Sequence, residues 1–144
     1  MTTLEANTPL PKLLGYGGAI PFIGLALLVH MLANHQDVMR HALLGYGACI
    51  VSFVGAVHWG IWLATNGKRA AGILWSVVPS IAAWVVLSVN DQLSCLAMAA
   101  VLVSCLIADF RFRQLGDLPQ WYVRMRITLT TVGALSLIAG TFGA

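Results

Sequence analysis

Charge is what this sequence has least of. Only 9% of its 144 residues are charged, against 59% hydrophobic, where a soluble domain carries roughly a quarter. That scarcity excludes an ordinary water-soluble fold. It also excludes a nucleic-acid surface. The pI is near 9, but the eight basic residues sit in the gaps between apolar runs rather than in a phosphate-binding stripe. Cysteine is sparse too. Cys49, Cys95 and Cys105 fall inside apolar runs, with no CxxC pair and no Cys/His ligand spacing. They are expected as buried small side chains without a metal. Cys95 and Cys105 are ten apart on one predicted helix, too distant for a disulfide with each other. No Walker loop, GxSxG, HExxH or paired-carboxylate pattern is present. Internal repeats and low-complexity segments are also missing. The first apolar run is too long for a signal-peptide core, and no A-x-A site follows it, so it reads as a retained membrane helix.

What the chain does have is five apolar runs separated by short polar links. The expected fold is an all-α integral membrane protein, with five transmembrane helices in one compact antiparallel bundle. Residues 1–12 read as a flexible polar tail with Pro9 and Pro11. Helices are predicted over about 13–33, 41–64, 70–89, 92–109 and 119–142, lengths that suit a hydrocarbon core of about 30 Å. Pro21 and Pro79 lie inside the first and third helices and predict kinks there. The segment 34–41 reads as the first link. Asn66-Gly67 and Asn90-Asp91 read as turns, and Asp117 with Pro119 as the start of the last helix.

The second helix organises the rest. In it Ala48, Ser52, Ala56, Gly60 and Ala64 recur every four residues. Such a row of small side chains predicts a helix-packing ridge, because small residues let backbones approach closely in a bilayer. Five crossings put the tail and the second and fourth links on one side. With the start of the last helix, that side holds Lys12, Lys68, Arg69, Arg111, Arg113, Arg124 and Arg126, and the other holds Arg40 alone. The asymmetry predicts the N-terminus in the cytoplasm or matrix and the C-terminus outside or in the periplasm.

An ionisable side chain inside a membrane helix is a functional candidate by default. His58 is the foremost. It is expected either to hydrogen-bond structurally to a serine or a proline-freed carbonyl, or to bind a ligand or handle protons. A ligand pocket is expected between the kinked first and third helices, near Tyr46, His58, Trp59 and Trp75. Trp75 and Trp84 are nine residues apart, so they face opposite sides of one helix. His30, His35 and His41 share the far side, where solvated loop histidines are expected rather than a metal. A second constellation, Asp109 with Tyr122, Arg124 and Arg126, reads as a polar cluster at the cytoplasmic face. It is a structural clamp first and an anion pocket second. Arg124 and Arg126 are about 200° apart, so one points inward while the other snorkels to headgroups. His58 and the acidic residue are expected not to meet, which argues against an enzyme.

The segments LLGYGGAIPF (13–22), YGACIVSFVGAVHWG (46–60), WSVVPSIAAW (75–84) and LPQWYVRMRITLT (118–130) resemble the transmembrane protein 69-like family. Its members are small multi-helix proteins of bacterial inner membranes and mitochondria, classed as a domain of unknown function. The resemblance covers nearly the whole chain and implies membrane location and fold. It lends no reaction, cofactor or catalytic residue. The expected role is a non-enzymatic accessory or assembly partner of a larger membrane complex, or a homo-oligomer, in contact with the lipid bilayer. The rivals are a binder of a tetrapyrrole, quinone or lipid, and a small transporter. The cofactor is unknown. The short tail favours the bacterial inner membrane over the mitochondrial one.

Overall fold

The computed structural model describes residues 9–67, 70–89, 93–114 and 118–142. Among these the regular elements are all helical: α1 (Leu10–Gly17), α2 (Ile20–Met31), a 3-10 turn (Ala33–His35), α3 (Gln36–Ala64), α4 (Ala70–Val89), α5 (Ser94–Gln114) and α6 (Gln120–Thr141). α1 and α2 are two halves of one crossing. The described residues therefore make five apolar spans, each long enough to cross a bilayer. They pack into a single bundle, and the chain is a multi-pass membrane protein.

The first crossing breaks where proline and glycine weaken it. Pro21 has no N–H to offer Gly17. The chain tightens there, with the Ala19 N–H bonding back three residues to Tyr16 at 3.0 Å. Tyr46 of α3 donates its hydroxyl to the Gly18 carbonyl at 2.8 Å. Its ring meets Phe22 edge-on at 4.9 Å. The kink is thus clamped by the neighbouring helix, which satisfies the Gly18 carbonyl beside the one that Pro21 leaves free. In α4 the helix runs through Pro79. A Cβ placed on Gly55 of α3 would lie 2.7 Å from the Ser76 carbonyl and 3.2 Å from Pro79. Only glycine permits that approach, and α3–α4 is the most extensive helix pair in the bundle.

α3 is the central helix. It packs against α2, α4, α5 and α6. It begins at Gln36 rather than near 41, so most of the expected first link is helical and α3 is 29 residues long. At its other end, Asn66 and Gly67 adopt positive φ, 50° and 78°. The Gly67 N–H bonds to the Trp62 carbonyl and the Asn66 N–H to Leu63, a Schellman closure of the helix. α5 runs to Gln114, five residues past its expected end. Arg111 and Arg113, read as link residues, lie in its last turn, where cations complement the helix dipole. The turn at 90–91, Lys68, Arg69, Asp117 and residues 1–8 lie outside the described residues, and α1 already begins at Leu10.

The small-residue row does not line the bundle along its length. Ala48 is buried and Ser52 half-buried, but Ala56, Gly60 and Ala64 are exposed. Positions four apart advance about 400°, so the row drifts about 40° per step around the helix. It starts inside and leaves the bundle. The packed stripe of α3 is instead Gly47, Val51, Val54, Gly55 and His58. Cys95 and Cys105 are buried as expected, whereas Cys49 is exposed, and all three are free thiols.

Candidate functional site

The inner stripes of α3 and α5 are mostly apolar and turn polar at one end, and α6 brings Arg126 and Thr130 to the same level. On α5 the stripe runs Cys95, Met98, Leu102, Cys105, Asp109. On α6 it is Arg126, Thr130, Gly133, Leu137. On α3 it ends in His58. These steps of three and four keep each polar residue on the face that the apolar residues pull inward. Burial of the hydrophobic stripe therefore carries the ionisable groups into the bundle.

There they converge. His58, Asp109 and Arg126 are 2%, 0% and 1% exposed. The Arg126 Nε–H donates to Asp109 Oδ2 at 2.9 Å. His58 Nε2 lies 3.1 Å from Asp109 Oδ1. A carboxylate only accepts, so the proton of that second bond sits on His58 Nε2. One aspartate thus joins α3, α5 and α6 through its two oxygens. The expectation that His58 and the acidic residue stay apart is overturned. It placed Asp109 at the end of its helix, whereas the helix continues for another turn and holds the carboxylate inside.

Two side chains complete the centre. Phe112, one turn beyond Asp109 on α5, covers the His58 imidazole, with ring centres 4.3 Å apart. Thr130, one turn beyond Arg126, has a buried hydroxyl with no hydrogen-bond partner. The Arg126 NH1 and NH2 nitrogens are also buried and unpartnered. The guanidinium meets Asp109 side-on through Nε and keeps its outer fork unused. Buried donors without acceptors are costly, so this corner of the site is set up for an acceptor. Phe112 and Thr130 were not among the expected site residues. Their spacing, three from Asp109 and four from Arg126, was the available signal.

The other candidates lie elsewhere. Arg126 points in and Arg124 out. Tyr122 is half-buried within electrostatic reach of Asp109 and Arg126, its ring edge-on to Trp121. Tyr46 is 12 residues from His58, about 18 Å along α3, and serves the kink of the first crossing. Trp59 is 44% exposed and meets Trp62 at 6.5 Å. Trp75 is half-buried on α4 and Trp84 is exposed. α3 stands between the first and third crossings, so Tyr46, His58, Trp59 and Trp75 do not form one pocket between them. His30 bonds back to the Ala26 carbonyl at 2.9 Å, and no three metal-ligating side chains cluster among the described residues.

No solved structure matches the chain. Transmembrane protein 69 of Xenopus tropicalis is 29% identical over 136 residues, covering 92% of this chain and 54% of that protein. Transmembrane protein 69 of Mus musculus is 22% identical over 140 residues, covering 94% and 57%. The chain spans just over half the length of these curated relatives. Residues 8–142 match the family described as a protein of unknown function, DUF3429, and the chain belongs to this transmembrane protein 69-like family.

Proposed function

We propose that the chain is a non-enzymatic accessory or assembly partner of a larger inner-membrane complex, which it meets through the outer face of α3. The supporting observation is the division of α3 into two faces. Its inner stripe is occupied by packing and by the His58–Asp109–Arg126 centre. Its outer face leaves Ala56, Gly60 and Ala64 exposed, with nothing within 4 Å of a Cβ built at Gly60. Phe53 and Leu63, 70% and 58% exposed, flank this strip. Lipid tails gain little from such a strip, whereas another helix gains close backbone contact. The charge asymmetry supports an arginine-rich end in the cytoplasm or matrix, in a bacterial inner membrane or its mitochondrial counterpart. The test is native mass spectrometry after gentle extraction from the native membrane. Wild-type protein should co-release a protein subunit, and Ala56→Leu/Gly60→Leu should release the bare chain. A wild type recovered only as a monomer, with no crosslinked partner, removes this reading.

A second reading is a binder of a hydrophobic small molecule such as a tetrapyrrole, quinone or lipid. One observation favours it: the three unpartnered donors of Arg126 and Thr130. A carbonyl or carboxylate oxygen of such a molecule would satisfy them. A bound mass retained by the wild type and lost in Thr130→Val, with the fold intact, supports this reading. Equal retention by both removes it.

A further inference from the structure

On the outside of the bundle, the start of α1 runs beside the start of α6. The Met125 thioether fills the space that a Cβ on Gly15 would occupy. Lys12 lies one turn before Gly15, and Trp121 one turn before Met125. Beyond the contact is a groove of about 370 Å³ lined by Lys12, Tyr16, Gln120, Trp121 and Arg124.

The chemistry of this groove is one-sided. Among the described residues, two cations reach it from different helices and none of the lining side chains is acidic. The side-chain amide of Gln120 adds donors. The Gln120 and Trp121 N–H groups precede the first intrahelical bonds of α6, which begin with Tyr122 and Val123 bonding to Pro119. A helix start of this kind adds a favourable field for an anion. Tyr16 and Trp121 are 46% and 41% exposed, and such rings settle at the membrane–water boundary. One turn deeper, Ile20 beyond Tyr16 and Ile127 beyond Arg124 are 70% and 40% exposed. They offer an apolar track that leads from the cations into the hydrocarbon region.

We propose that this groove binds the phosphate of an anionic membrane phospholipid, held between Lys12 and Arg124 with an acyl chain running over Ile20 and Ile127. A free phosphate shares the headgroup chemistry but has no use for the apolar track. The site is separate from the buried centre, since Arg124 faces away from Arg126 on the same helix.

The test is lipid retention by the full chain in neutral detergent, read by native mass spectrometry. The probes are phosphatidylglycerol, phosphatidylcholine and inorganic phosphate. Wild type should retain phosphatidylglycerol in preference to phosphatidylcholine. Lys12→Gln and Arg124→Gln should each weaken that retention about fivefold, and their combination more than tenfold. Arg111→Gln/Arg113→Gln, which removes two exposed cations from α5 outside the groove, should leave it unchanged. Retention preserved in the Lys12→Gln/Arg124→Gln protein overturns the proposal. So does an equal loss in the Arg111→Gln/Arg113→Gln protein, which would mark diffuse attraction instead of a site. Inorganic phosphate retained at the groove without any lipid preference assigns it to a soluble ligand and overturns the lipid assignment.

Discussion

Arg126 meets Asp109 at 2.9 Å with side chains 1% and 0% exposed, whereas Arg40 meets Asp37 at 3.4 Å with side chains 21% and 96% exposed. Both pairs involve an arginine and an aspartate, and they lie toward opposite ends of the bundle. The first joins α5 to α6 and recruits His58 from α3. The second is three residues apart on α3 itself, and the more useful bond of its arginine goes to the Gly140 carbonyl of α6 at 3.1 Å. The pair that is close in sequence is the one water weakens. An exposed pair gains little Coulomb energy and loses side-chain freedom in forming. The pair distant in sequence has no solvent to fall back on, so removing either partner leaves a bare charge in the bundle. A polar contact in this protein matters according to where it is buried, not according to how near its partners lie in the chain.

The largest effect should come from breaking the buried pair on one side. Asp109→Ala leaves Arg126 inside without a counter-charge and should cost about 3–5 kcal/mol, measured as unfolding of the purified protein in detergent. Asp109→Leu/Arg126→Met should recover most of that loss, because an apolar pair of similar volume needs no counter-charge. Failure to recover would show that the centre is retained for its chemistry and its packing together. Next in size is His58→Ala. It removes a bond to a charged group and should cost about 1.5–3 kcal/mol in the same assay. A loss equal to that of Asp109→Ala would place the imidazole, not the guanidinium, as the main partner of the carboxylate. The smallest effect should be Asp37→Asn, with no measurable change in unfolding. A clear loss there would erase the contrast between the two pairs and give the Asp37 carboxylate itself a structural role.

Much of the fold was legible in the sequence. The five spans and the α4 bounds follow from hydropathy and turn residues, which act over a few neighbouring positions. The kink at Pro21 was legible for the same reason. Helix ends were less so. The segments 36–40 and 110–114, charged at Asp37, Arg40, Arg111 and Arg113, look like loop, but they are helical because a helix continues beyond the hydrocarbon region while its backbone bonds are satisfied. The i, i+4 row on α3 was visible as a pattern, but its facing was not. A row of that spacing rotates around the helix, and only the packed neighbours show where it leaves the core.

By itself, then, the sequence determined a five-crossing membrane bundle, its lipid-facing apolar character and the presence of a few charges inside it. These depend on local hydropathy and on the backbone's need for hydrogen bonds in lipid. The tertiary structure alone decided that His58, Asp109 and Arg126 are one centre. Their meeting requires three helices, 51 and 17 residues apart at these positions, to share both depth and rotation. Those two quantities are set by side-chain packing between helices, such as Gly55 on Pro79 and Phe22 and Leu102 over Gly133, and no single stretch of chain carries them.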